Sequence, residues 1–168
     1  MSIQNDRPAR RPALYAAGLA LWLLGAVAQA QSGPSLDESL AVEIEQFVAA
    51  DHLAPPAPCQ VLFVGSSSIV HWKDELAADM APWPVINRGF GGSYIAHVNR
   101  WFAQIVAPYR PRSIVFYAGE NDLHAGASVA QVVSDFDAFM ALKSQALGST
   151  PVYFLKRTSA AGRRAAST

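Results

Sequence analysis

The chain has almost none of the residues that hold small domains together through disulfides or metal ions. It contains one cysteine, Cys59, which can form no disulfide within the chain and provides no cysteine cluster for a metal. Lysine and arginine are as numerous as aspartate and glutamate, 13 of each. Nucleic-acid-binding proteins carry a strongly basic face, so this balance predicts no nucleic-acid partner. We therefore expect neither a metal site nor nucleic-acid binding.

Charged residues are also scarce, at 15% of the chain against about 25% in typical soluble domains. Part of the deficit lies at the N-terminus, where three arginines precede an apolar run over 13–28 that ends in Ala28-Gln29-Ala30. This pattern is typical of a secretory signal peptide, and the run is shorter than the roughly 20 residues of a membrane-spanning helix. We expect residues 1–30 to be cleaved, giving a secreted or periplasmic protein without a stable membrane span. An uncleaved anchor is the alternative.

The rest of the chain alternates between helical and strand-like apolar patterns. The predicted helices run from 36 to about 51, over 69–80, over 95–106 and from 129 to about 140, and the predicted strands cover 60–64, 85–86, 113–117 and 151–155. Strands that alternate with helices indicate a parallel sheet with helices on both faces. We divide the mature chain into an N-terminal helix and proline-rich connector (31–58), an α/β domain (59–155) and a tail (156–168).

The tail differs abruptly in composition from the domain. Residues 156–168 contain no large apolar side chain, although a fourth buried strand needs a helix to cover its outer face. An unstructured tail is one interpretation. The other is that the end of the domain is missing or is encoded in another reading frame, so that the fold is incomplete at its C-terminus.

Three polar segments follow the first three predicted strands, at 64–68, 87–93 and 117–122. The carboxyl ends of parallel strands lie at one edge of a sheet, which is where open α/β sheets hold their ligands. Serine, glycine and asparagine gathered there provide a nucleophile, a backbone N–H and an amide donor. That set suits acyl transfer, in which a carbonyl is attacked and the resulting oxyanion is stabilised.

Each of these residues also has a purely structural interpretation. Ser67 and its serine neighbours can cap a helix, as serine at a helix start usually does. A glycine such as Gly92 can simply turn the chain after a strand. Asn121 can stabilise an Asx turn while Asp122 caps the next segment. The shared edge of the sheet is what favours the functional interpretation.

Taken together, the three segments resemble blocks I, II and III of the SGNH (GDSL-type) hydrolases. The resemblance covers about residues 61–155 and implies a flavodoxin-like three-layer α/β/α fold. It implies that Ser67, in Gly65-Ser66-Ser67, is the nucleophile of an esterase that needs no cofactor. It further implies an oxyanion hole formed by the Ser67 backbone N–H, Gly92 and Asn121, and a small-molecule, carbohydrate or lipid ester as substrate.

The sequence departs from the family pattern at two places. Ser66 replaces the usual aspartate of block I, and the Asp-x-x-His block near the family's C-terminus is absent, since no histidine follows His124. A serine hydroxyl needs a neighbouring base to take its proton. His124 shares a loop with Asn121 and is the candidate substitute base, whereas His97 is predicted to lie in solvent.

We therefore interpret the chain as a serine ester hydrolase that forms an acyl-enzyme intermediate. As a C-terminally truncated or frame-altered member of the family, it is expected to be nearly inactive in this form. A non-catalytic ligand-binding module of the same fold is the alternative. A phosphate- or flavin-binding domain is a further one, because a serine-rich loop at a helix start can bind phosphate.

Overall fold

The computed structural model describes residues 36–72 and 74–156. The predicted signal peptide (1–30) and all but the first residue of the tail (156–168) lie outside the described residues. None of the helices within the described ranges is long and apolar enough to cross a membrane.

The described chain forms one parallel sheet of four strands with helices between them. The strands are β1 (Val61–Gly65), β2 (Val85–Gly89), β3 (Ser113–Tyr117) and β4 (Val152–Phe154), in the order β2-β1-β3-β4. The helices are α1 (Leu36–Leu53), α2 (Ser67–His71), α3 (Leu76–Asp79), α4 (Ile95–Arg100), α5 (Phe102–Ile105), α6 (Glu120–His124) and α7 (Val129–Leu147), with a short 3-10 helix at Ala107–Tyr109. All three strand pairings are parallel. The predicted parallel α/β fold is confirmed.

Strand β1 shows how the sheet separates two apolar cores. Successive side chains of a strand point to opposite faces. Leu62 and Val64 belong to the larger core, which α1, α4, α5 and α7 cover. Val61 and Phe63 belong to a smaller core on the other face, where α2 and α3 contribute Ile69 and Leu76. Helices therefore cover both faces of the sheet, which is the predicted three-layer arrangement.

Two of the predicted helices are each split in two. The pattern over 69–80 forms α2 and α3, because the Trp72 carbonyl accepts from both Glu75 and Leu76 in a tight turn while its ring packs on Phe63. The pattern over 95–106 forms α4 and α5, which meet at the buried Trp101. The apolar spacing predicts which face of each helix is buried. It does not reveal the break, because both halves of a split helix bury the same face.

The outer strand β4 is only partly covered. Phe154 packs against Phe136 of α7 with ring centroids 5.0 Å apart, yet remains 45% exposed, and Tyr153 is 58% exposed. Helix α7 begins after its N-cap residue Ser128, whose Oγ accepts from the Gln131 N–H at 3.1 Å. Large apolar side chains of the fourth strand are therefore exposed in the structure.

A half-buried polar cluster links α1 to the sheet. Arg88 of β2 forms an ion pair with Asp51 of α1, and its Nε donates to the Tyr109 hydroxyl at 2.6 Å. The Tyr109 hydroxyl in turn donates to Asp51. Burial, together with this hydrogen bond, raises the pKa of Tyr109 to about 12. The cluster fixes α1 beside the strand that leads into the second polar segment.

Candidate active site

The three polar segments meet at the carboxyl edge of the sheet, as the topology predicts. Gly65 at the end of β1 lies opposite Gly89 of β2 and Tyr117 of β3. Beyond the strands, the Ser66 N–H donates to the Tyr117 carbonyl at 2.8 Å, and the Phe90 N–H donates to the Gly65 carbonyl at 3.0 Å. These backbone hydrogen bonds join the first segment to both of the others.

Only glycine fits at position 65. Its φ is +136°, which side-chain-bearing residues rarely adopt. A Cβ there would also lie 1.9 Å from the Tyr117 carbonyl oxygen, which is backbone and cannot move aside. Gly65 therefore lets β1 turn sharply against β3 and brings the following serines to the sheet edge.

Ser67 is the first residue of α2 and is half-buried at this edge. Within the described ranges, neither its hydroxyl nor its backbone N–H has a hydrogen-bond partner. The capping interpretation is not supported, because Ser66 occupies the N-cap position and makes no side-chain cap. Ser67 thus offers a hydroxyl and an N–H with no competing partner.

The second segment presents a free backbone donor at Gly92. Gly92 has a φ of +74°, in the left-handed region that favours glycine. Its N–H has no acceptor among residues 36–72 and 74–156. The preceding N–H, that of Gly91, donates to Glu43 Oε2 at 3.3 Å. Of the two consecutive amides, only that of Gly92 is available to a ligand.

Asn121 lies in the first turn of α6, a short helix where the sequence predicted a loop shared with His124. Its Nδ2 donates to the Ser93 carbonyl at 3.1 Å, which links the third segment to the second. An amide nitrogen carries two hydrogens, so one remains for a ligand. The side chain is half-buried, and this bond fixes its orientation.

The departure at Ser66 is matched by a neighbour in the third segment. Ser66 is fully buried, and its hydroxyl donates to Glu120 Oε1 at 3.3 Å. An aspartate at this position would place a second carboxylate against Glu120. Serine at 66 and glutamate at 120 therefore form a compatible pair that ties the first segment to the third.

Asp122 holds the start of α4, a role that the sequence did not reveal. Its side chain is buried, and Oδ1 accepts from the Ile95 N–H at 3.2 Å, whereas Oδ2 has no partner among the described residues. Burial raises the pKa of this carboxyl above its usual value, partly offset by the Ile95 hydrogen bond. Asn121 and Asp122 therefore form hydrogen bonds with the backbone on both sides of Tyr94.

Comparison with known proteins identifies the fold. No family model and no curated protein matches the sequence. Among solved structures, the chain is similar to a protein from Streptococcus pneumonia described as a platelet activating factor (TM-score 0.61, 16% identity, 71% of this chain and 55% of that one). It is also similar to a GDSL-like lipase from Bacteroides thetaiotaomicron (TM-score 0.53, 18% identity, 66% of this chain and 56% of that one). The chain has the fold of the GDSL-type hydrolases.

The chain spans little more than half the length of these two neighbours. A third neighbour, described as an acylhydrolase from Bacteroides fragilis, gives the same result, with a TM-score of 0.54, 18% identity and coverage of 66% of this chain and 55% of that one. With TM-scores above 0.5, all three neighbours share the fold of this chain.

The expectation that His97 lies in solvent is wrong. In this GDSL-type fold the His97 side chain is 13% exposed, its Nδ1 accepts from the Tyr94 N–H at 3.0 Å and its Nε2 contacts Asp37 at 3.1 Å. Burial lowers the pKa of His97, against the opposing effect of Asp37. The sequence spacing could not show this, because α1 brings Asp37 over α4 from far along the chain. With both nitrogens engaged, His97 is not free to accept a proton from Ser67.

The other three histidines, His52, His71 and His124, are exposed. His124 ends α6, one helical turn beyond Asn121, and its imidazole has no hydrogen-bond partner within the described ranges. No group of three or more His, Cys, Asp or Glu side chains in those ranges is placed to hold a metal ion. The groups assembled at this edge are therefore a serine hydroxyl, two backbone N–H donors and one amide donor.

Proposed function

We propose that this protein is an ester hydrolase with Ser67 as its nucleophile. The observation that carries the proposal is the Ser67 hydroxyl, which has no hydrogen-bond partner among the described residues and lies at the edge where Gly92 and Asn121 also present donors. The GDSL-type fold supports it, since one structural neighbour is described as a GDSL-like lipase and another as an acylhydrolase.

In the proposed reaction, Ser67 Oγ attacks the carbonyl carbon of an ester while its proton passes to a base. The carbonyl oxygen becomes an oxyanion, which accepts hydrogen bonds from the Ser67 and Gly92 N–H groups and from Asn121 Nδ2. Collapse of this intermediate expels the alcohol, which takes up the proton, and leaves an acyl-serine. Water then attacks the acyl-serine, releasing the acid and regenerating Ser67.

The base is the weakest part of this arrangement, and His124 is our candidate for it. His124 is exposed and forms no hydrogen bond with Ser67 in the structure. Serine hydrolases that lose a triad member keep only about 10³–10⁴-fold of their rate enhancement over water. We therefore expect slow turnover of activated esters by the 168-residue chain.

A non-catalytic binding module is the second candidate function. Within the described residues no side chain accepts the Ser67 proton, and this observation favours it. For both candidate functions we propose a small-molecule, carbohydrate or lipid ester as the ligand. We also propose a secreted or periplasmic location after cleavage between residues 30 and 31. Donors without a base would bind such an ester but release it unchanged.

Hydrolysis of p-nitrophenyl acetate by the full chain distinguishes the two candidates. A hydrolase should show slow turnover that disappears in Ser67→Ala and persists in Ser68→Ala, the matched control because Ser68 is the exposed neighbour on the same helix. Loss of turnover in His124→Ala would identify the base. Turnover that survives Ser67→Ala would exclude Ser67 as the nucleophile, and no turnover at all would leave the binding module.

A further inference from the structure

Helix α1 lies outside the three polar segments, yet it contacts the second of them directly. Glu43 of α1 is half-buried, and its Oε2 accepts from the Gly91 N–H at 3.3 Å. Its other oxygen, Oε1, lies 4.0 Å from the place where a Gly91 Cβ would stand. About two turns before Glu43 on the same helix, Leu36 Cδ1 lies 3.5 Å from the corresponding place at Gly92.

The same helix also holds the chain that follows Gly92. Asp37 of α1 contacts His97 Nε2 at 3.1 Å and Arg100 Nη1 at 3.1 Å. Through its Nδ1, His97 accepts from the Tyr94 N–H. Contacts from α1 therefore reach both ends of the short loop between β2 and α4.

The contact at Gly91 decides which backbone donor is available. Peptide N–H groups that are buried are almost always hydrogen-bonded, and a ligand oxygen competes with any acceptor already in place. Glu43 occupies the Gly91 N–H, whereas the Gly92 N–H has no acceptor within the described ranges. The carboxylate thus engages the Gly91 amide and leaves the Gly92 N–H as the donor that a ligand can use.

We propose that Glu43 is a positioning residue of the oxyanion hole, acting through Gly91 to present the Gly92 N–H. The effect of Glu43 on catalysis rests on the proposed function. The hydrogen bond between Glu43 and the Gly91 amide, beside a Gly92 amide that is unpaired in the described part of the chain, does not depend on any activity. The hydrogen bond and the effect on catalysis are therefore measured separately.

The experiment compares Glu43→Ala, Glu43→Gln and a matched control in the full chain. Glu45→Ala is the control, because Glu45 is an exposed glutamate on the same helix. The first readout is amide hydrogen exchange at Gly91 and Gly92, measured by NMR. The second is the rate at which a fluorophosphonate, a mimic of the tetrahedral intermediate, labels Ser67.

We expect the Gly91 amide to exchange slowly and the Gly92 amide quickly in the unaltered protein. Glu43→Ala should speed Gly91 exchange about tenfold, the equivalent of one ordinary hydrogen bond, and slow Ser67 labelling by a similar factor. Glu43→Gln keeps an oxygen acceptor and should restore most of both, while Glu45→Ala should change neither.

Two results would overturn the inference. Gly91 exchange unaffected by Glu43→Ala would show that the hydrogen bond does not hold the loop. Faster Gly91 exchange with an unchanged labelling rate would make Glu43 a structural residue only. If the unaltered protein is not labelled at Ser67, the proposed function fails, and the exchange rates at Gly91 and Gly92 still decide whether Glu43 ties the loop.

Discussion

The contact between Ser66 and Glu120 predicts that the family's usual aspartate is harmful in this chain. Ser66 is fully buried, and its hydroxyl lies 3.3 Å from Glu120 Oε1. In Ser66→Asp, a carboxylate replaces a hydroxyl that donates to another carboxylate. The variant therefore loses a hydrogen bond and gains a like-charge contact between the first and third segments.

The destabilisation by Ser66→Asp can be calculated for two states of the new carboxyl, charged and protonated. Two unit charges 4 Å apart repel by about 4 kcal/mol at the effective dielectric constant of 20 that suits sites near a protein surface. The new carboxyl can instead stay protonated, which at pH 7 costs about 4 kcal/mol because that pH is about three units above its ordinary pKa. The protonated form donates to Glu120 in place of Ser66, so this state loses no hydrogen bond and gains none. We expect Ser66→Asp to lower the free energy of unfolding by about 4 kcal/mol, the cost of the protonated state.

Urea unfolding at several pH values tests this reasoning. Glu120 raises the pKa of the new carboxyl in the folded state above its unfolded value, so the folded protein holds the extra proton more tightly. The penalty should be nearly absent below about pH 4 and grow as the pH rises toward 7. Glu120→Gln should remove most of it in the double variant. Full stability of Ser66→Asp at pH 7, or a loss that Glu120→Gln does not relieve, would refute the proposed charge contact.

Two further predictions concern single side chains. If Asn121 donates to the oxyanion, Asn121→Ala should lower kcat on p-nitrophenyl acetate by about 10²–10³-fold with little change in KM, and an unchanged kcat would reduce Asn121 to a turn residue. Because the pKa of Tyr109 is raised to about 12, an absorbance titration should show one phenol ionising there. The free energy of unfolding should fall by about 2 kcal/mol between pH 10 and 12, since the unfolded chain releases that proton first. Tyr109→Phe should abolish both effects, and ionisation of every phenol near pH 10 would contradict the half-buried cluster.

The sheet could be predicted from the sequence because its signals are local. Each predicted strand is a short apolar run, and β1 is buried along its whole length, as a strand covered on both faces must be. The helix breaks at Trp72 and Trp101 could not be predicted, because both indoles pack where an unbroken helix would also bury an apolar side chain. The polar helix α6 has five residues and no apolar period to announce it.

The residues of the candidate site also fall into two groups, those that a local sequence signal predicts and those that it does not. Ser67, Gly92 and Asn121 were expected at one edge because each lies within four residues of a strand end and parallel topology brings such positions together. Their roles in catalysis are implied by the resemblance to the SGNH hydrolases. The side chains that orient them come from distant parts of the chain. Glu43 is 48 residues from Gly91, and Asp122 is 27 residues from Ile95. No periodicity or spacing marks such pairs, so only the folded structure reveals them.

Fluorophosphonate labelling of the full chain tests, without requiring turnover, whether Ser67 is the proposed nucleophile beside the oxyanion hole. Peptide mapping by mass spectrometry after labelling should place the phosphonate on Ser67, with labelling lost in Ser67→Ala and retained in Ser68→Ala. A phosphonate found on another residue, or labelling that persists in Ser67→Ala, would show that Ser67 is not the nucleophile.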